Sequence, residues 1–174
     1  MFATIFGFEL SYHFRRGLTW LYVGLFFFMG FVAVASEAVS AGGGVGQVHR
    51  NAPVVMAQLM AVLIVLGQIL TTGICGTAAM RDEQMGTSEL LFTTQLTRPG
   101  YLFGRFFGSL AAMLVIYAAI PLGMMLAAFM PWIPVEALGP IRLFDAWHVF
   151  LVIGIPNLLF VGAISFAVGA MTRK

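Results

Sequence analysis

Six of the chain's nine basic and seven acidic residues, Arg81, Asp82, Glu83, Glu89, Arg98 and Arg105, fall in one segment between two long apolar stretches. A mixed-sign cluster of this kind suits docking of a soluble partner. Bond-making chemistry has little to work with elsewhere. His13, His49 and His148 are scattered, and no His-x-x-x-His or cysteine cluster suits zinc. Ser36, Ser40 and Ser165 lack a Gly-x-Ser-x-Gly context. Cys75 is the single cysteine, which excludes an intrachain disulfide. The glycine run at 42–44 is not followed by lysine, and Lys174 is the only lysine, so the chain carries no Walker A loop. Catalytic residues, metal ligands and a bound cofactor are therefore not expected, and the chain reads as a non-enzyme.

The elements that hold these residues follow from composition. Apolar residues make up 60% of the chain and charged residues 9%, with a mean hydropathy of +0.96. A soluble domain carries roughly 25% charge. Uncharged stretches run from Gly17 to Ser36, Asn51 to Met80, Phe106 to Val135 and Ala146 to Thr172. Each meets the roughly 20 apolar residues needed to cross a bilayer at about 1.5 Å per residue. The expected fold is an all-α integral membrane domain over 1–174 with four transmembrane helices, at about 18–38, 53–79, 106–130 and 147–170. No stretch shows the alternation of a membrane-spanning barrel strand. The first span is full length and lacks a small-x-small cleavage site, so it reads as an anchor.

Basic residues near span ends favour the cytoplasmic side. With the N-terminus inside, Arg15, Arg16, Arg81, Arg98, Arg105, Arg173 and Lys174 face the cytoplasm and only Arg50 and Arg142 face out. Both termini are thus expected in the cytoplasm. The net charge of +2 reports topology and gives no reason to expect nucleic acid as a partner.

Residues 1–16 are expected to form a short helix at the inner face of the bilayer, or to continue into the first span. Its apolar row would be Phe2, Phe6, Leu10 and Phe14, with Thr4, Ser11 and Arg15 opposite. Between the second and third spans, Thr87-Ser88-Glu89 reads as a helix start and Thr97-Arg98-Pro99-Gly100 as its end. Pro121 and Pro156-Asn157 are expected to bend the third and fourth spans. Trp132 and Trp147 suit the interface.

Polar residues within the spans have two readings, a substrate path or packing between helices. Gln68, Thr71, Thr72 and Cys75 share one stripe of the second span, Asn157 belongs to a small-residue seam on the fourth, and Glu37 stands near the outer end of the first. Gly104 and Gly108 open the third span with the spacing of close helix packing.

The segment from Ala79 to Thr94, followed by Arg98, Tyr101-Leu102 and Gly104-Arg105, resembles the cytosolic loop of type-2 ABC exporter permeases. Phe8-Glu9-Leu10-Ser11-Tyr12 with Arg15-Arg16 is similar to that family's connecting helix. Gly24-Leu25-Phe26-Phe27 and Val48-His49-Arg50-Asn51-Ala52-Pro53 resemble a subgroup fused to an M1-aminopeptidase-like domain, although no peptidase motif is present here. The resemblance covers the N-terminal part of a transmembrane domain that usually has six helices. It departs at Gln95, where proline is common.

The resemblance implies a permease of the bacterial inner membrane that couples ATP hydrolysis by a separate nucleotide-binding subunit to export. ATP and Mg would be bound by that subunit. A second permease copy or paralogue and the lipid bilayer are the other implied partners. The short helix between the second and third spans becomes a coupling helix, with Arg81, Asp82, Glu83, Gly86, Thr87, Glu89 and Arg98 at the contact. Glu37, Gln68, Thr71, Thr72 and Asn157 are the residues to examine for a path. The alternative is a non-transporting membrane scaffold.

Overall fold

The computed structural model describes residues 2–36, 49–84, 86, 97–140 and 142–172, the side chains at 82–84, 98, 135 and 143 excepted. Helix is the only regular structure among them. In chain order the elements are α1 (Phe2–Phe14), α2 (Gly17–Ala35), α3 (Pro53–Gln84), α4 (Arg98–Ala127), a 3-10 turn (Val135–Ala137), α5 (Leu143–Val149), a π turn (Phe150–Gly154) and α6 (Ile155–Met171).

Four segments are long and apolar enough to cross a bilayer: Gly17–Ala35, Pro53–Arg81, Pro99–Ala127 and Phe144–Met171. The chain is a multi-pass membrane protein. Its lipid-facing surface is correspondingly apolar, with Phe28, Ile69 and Phe160 all more than 60% exposed.

Several boundaries differ from the sequence reading; α3, for example, runs on to Gln84 where an end at about 79 was expected. The first span ends at Ala35, short of residue 38. The third begins at Arg98, well before residue 106, so Thr97-Arg98-Pro99-Gly100 starts a helix where a helix end was expected. Thr97 offers its carbonyl to the Tyr101 N–H at 3.1 Å, closing the first turn. Proline belongs in that turn, because its missing N–H would have no intrahelical acceptor and its φ is already helical. The expected coupling helix after Thr87 lies outside the described residues, as does Glu37.

The prolines inside the spans are accommodated differently. Pro121 sits within an unbroken α4 and is fully buried. Pro156 follows the π turn, where the Ile155 N–H reaches back to the Phe150 carbonyl. The helix widens just before the residue that cannot donate. Asn157 Nδ2 donates to the Ile153 carbonyl at 3.0 Å and covers an acceptor at the irregularity.

Packing falls into two compact units. One comprises Met1–Thr19, Gly67–Leu114 and Leu158–Lys174; the other comprises Trp20–Leu66 and Val115–Asn157. In the second unit, α2 and α4 meet at Gly30 and Gly123. A Cβ on Gly30 would come within 2.5 Å of the Ile120 carbonyl oxygen, and one on Gly123 would overlap the Phe27 carbonyl. Tyr117 is fully buried beside Phe26, with ring centroids 5.9 Å apart. The side-chain amide of Asn51 pairs with the backbone of Gly139, donating at 2.9 Å and accepting at 2.7 Å. The Arg50 N–H adds a bond to the Ala137 carbonyl at 2.9 Å.

In the first unit, α3 and α6 approach so closely that a Cβ on Gly169 would strike the Gly76 carbonyl oxygen. Cys75 packs against Gly162, where an added Cβ would lie 3.6 Å from its Sγ. α1 lies across the start of α4 at Gly104 and Gly108, which face Ile5 and Glu9. The small residues serve the same purpose in each case, letting backbones come near where lipid provides no hydrophobic drive for association.

Candidate functional site

Glu9 is the only acid before residue 37, and it is completely buried. It sits on α1 between Phe8 and Leu10, one turn before His13. Removing a carboxylate from water costs several kcal/mol unless charged partners replace the solvent. Two guanidiniums do so here. Arg81 Nη1, near the end of α3, donates to Glu9 Oε1 at 2.7 Å. Arg105 Nη1, in the second turn of α4, donates to Glu9 Oε2 at 3.1 Å. Both arginines are themselves buried.

His13 completes the ring around the carboxylate. Its Nε2 lies 3.3 Å from Glu9 Oε1, but without the alignment of a hydrogen bond. The Thr19 hydroxyl donates to the His13 carbonyl at 2.7 Å and ties the end of α1 to the beginning of α2. The Tyr12 ring carries the Arg81 guanidinium at 4.0 Å and that of Arg16 at 4.3 Å, and Tyr101 lies 5.5 Å from the Arg105 guanidinium. The guanidinium is planar by resonance, and an aromatic face beneath Arg81 leaves its edge available to the carboxylate.

The helix lengths explain why charge is tolerated here. The 32 residues of α3 and 30 of α4 span about 48 and 45 Å at 1.5 Å per residue, against roughly 30 Å of hydrocarbon. Both helices are thus longer than the hydrocarbon requires, and Arg81 and Arg105 belong to the facing end turns of α3 and α4.

Burial pushes the Glu9 carboxyl upward, but the His13 imidazole and the Arg81 and Arg105 guanidiniums outweigh it and hold the group below its ordinary value. A carboxylate so held is a weak base, and its two oxygens fasten α1 to α3 and α4. Arg81 and Arg105 bracket the segment 82–104, so one carboxylate joins both ends of the charged loop to α1.

The other expected residues are placed as follows. Arg81 is occupied by Glu9 and buried, so its guanidinium is engaged within the chain and not presented outward. Asp82 and Glu83 belong to the last turn of α3, Arg98 opens α4, and Gly86 follows α3 with a φ of 66°. That left-handed conformation after a helix end favours glycine, which has no Cβ to clash. Thr87 and Glu89 lie outside the described residues. Thr71 is buried and donates to the Gly67 carbonyl of its own helix at 3.2 Å. Thr72 is exposed and meets Ser165 at 3.3 Å, while Gln68 is half-buried. Among the described residues no group of three or more His, Cys, Asp or Glu side chains is placed to hold a metal ion.

The sequence reading counts Arg105 in the charged segment and quotes Glu9 and Tyr12 in the connecting-helix resemblance, but it does not bring them together with His13 as a site. The expected apolar row of α1 is exposed at Phe2 and half-buried at Phe6, Leu10 and Phe14, while Glu9 and His13, which lie outside that row, are the buried residues. A usable signal was present: a lone carboxylate in an apolar helix, with histidine four residues on, marks a group that must be paired.

The fold and site define a multi-pass helical membrane protein whose N-terminal helix is ion-paired to the ends of two spans. No family model, curated protein or solved structure matches the chain.

Proposed function

We propose that the chain is the membrane-spanning permease component of a type-2 ABC exporter, driven by a separate ATPase subunit. Both termini and the 82–97 loop then face the cytoplasm, and the membrane is the bacterial inner membrane. The observation that carries the reading is the Glu9 clamp: Arg81 and Arg105 flank the charged loop, and both are fastened to α1 through one carboxylate. A soluble engine can act on a membrane bundle only through groups outside the bilayer, and a loop with stiffly held ends passes force to the helices it joins. The resemblance of 79–105 to the family's loop supports the same conclusion. Arg81 serves in this reading as the anchor of the loop, and Asp82, Glu83, Gly86, Thr87, Glu89 and Arg98 form its contact surface.

The scaffold alternative is favoured by one observation: Thr71 and Asn157, two of the residues examined for a path, hydrogen-bond to their own helices. Affinity purification from the native membrane, with mass spectrometry and an ATP hydrolysis assay, separates the two. A bound nucleotide-binding subunit that is lost when Glu83 and Glu89 are both reversed to lysine supports the permease. Recovery without any ATPase, or binding unaffected by the reversal, overturns this assignment.

A further inference from the structure

α1 is inverted relative to a helix that rests on water. Its ionisable Glu9 and His13 point inward, while Phe8 is 63% exposed and Phe2 43% exposed. Phe8, Ser11, Tyr12 and Arg15 recur at helical spacing, so phenylalanine and arginine share the outward face. Arg15 and Arg16 are exposed, and neither has a carboxylate partner among the described residues. Arg16 is nevertheless positioned, because its guanidinium rests on the Tyr12 ring at 4.3 Å. Gly17 then begins a membrane span, and Leu18 is 53% exposed one residue later.

This order of exposed groups matches the layers of a bilayer. Leu18 and Phe8 are suited to the acyl boundary. Arg15 and Arg16 directly precede the span, the sequence position at which basic side chains commonly meet headgroups. Water would favour the opposite arrangement of α1, with Glu9 and His13 outside and the phenylalanines within.

We propose that the outward face of α1 binds an anionic phospholipid, with Arg15 and Arg16 on the headgroup and Phe8 and Leu18 against the acyl chains. The two guanidiniums supply planar donors for phosphate oxygens, and their charge distinguishes an anionic from a zwitterionic headgroup. The surface is independent of the transport reading and holds whether or not an ATPase binds.

The test is native mass spectrometry of the full chain in neutral detergent, titrated with dioleoyl phosphatidylglycerol or dioleoyl phosphatidylcholine. Preferential retention of phosphatidylglycerol is expected. The double variant R15Q/R16Q should weaken it by about fivefold per arginine, R15K/R16K should keep most of it, and R50Q/R142Q should leave it unchanged. Equal retention of the two lipids overturns the proposal, as does a preference that survives R15Q/R16Q. Displacement of phosphatidylglycerol by an equal concentration of inorganic phosphate also overturns it, since the face would then bind soluble phosphate. A thermal melt of each variant checks folding; the exposed positions of Arg15 and Arg16 predict at most a small fall in midpoint, from loss of the Arg16 contact with the Tyr12 ring.

Discussion

Glu9 Oε1 and Arg81 Nη1 meet at 2.7 Å across 72 positions of sequence, in a site where neither side chain has more than 10% of its surface exposed. The pair is short, charge-assisted and buried. Arg105 reaches the second oxygen of the same carboxylate from 96 positions away. One side chain thus fixes three helices.

Glu9→Gln removes the charge and leaves two buried guanidiniums without their counterion. Breaking a buried pair from one side costs about 3–5 kcal/mol. The thermal midpoint in detergent should fall clearly, whereas the triple change Glu9→Leu, Arg81→Met and Arg105→Leu should recover part of the loss. A single variant as stable as the parent would show that the clamp contributes nothing.

The same carboxylate makes stability depend on acid. Its folded pKa is depressed, so its contribution is fully present above the unfolded value of about 4.3 and is lost as pH falls toward the lower folded value. Melts should show a Glu9-dependent component that is flat from neutral pH to about 5 and declines below about 4.3. In Glu9→Gln that component should vanish.

Gly108 faces Glu9 so closely that a Cβ would lie 2.6 Å from the Glu9 Cβ. Gly108→Ala should therefore lift α1 from α4 and lower the melting midpoint. Gly24→Ala meets nothing within 4 Å and gains up to about 1 kcal/mol of helix propensity, so it should be neutral or slightly stabilising. Equal behaviour of the two variants would rule out the packing explanation.

Asn51→Leu deletes both amide bonds to Gly139. The loss should be about 1–3 kcal/mol, because the Gly139 N–H and carbonyl are left without the partner that replaces water. Hydrogen exchange at Gly139 should accelerate, with little change at Gly30 or Gly123.

The four spans were legible in the sequence because crossing a bilayer is a local requirement, met by a run of apolar residues whatever the neighbours are. The irregularity near Pro156 was legible for a similar reason, since proline lacks a donor wherever it sits. The start of α4 was read incorrectly. Thr97-Arg98-Pro99-Gly100 fits either end of a helix by composition, and the Thr97 carbonyl bond to Tyr101 shows it to be the beginning.

The core of the site was not legible. Residues 9, 13, 81 and 105 belong to three helices, and their meeting depends on α1 settling at Gly104 and Gly108. Residue order alone leaves Glu9 a lone carboxylate among apolar neighbours and sets Arg81 and Arg105 at the two ends of a charged loop. That these charges neutralise one another is a product of the fold. A buried carboxylate requires a partner, but the choice of partner is set by which backbones can approach closely enough to deliver one.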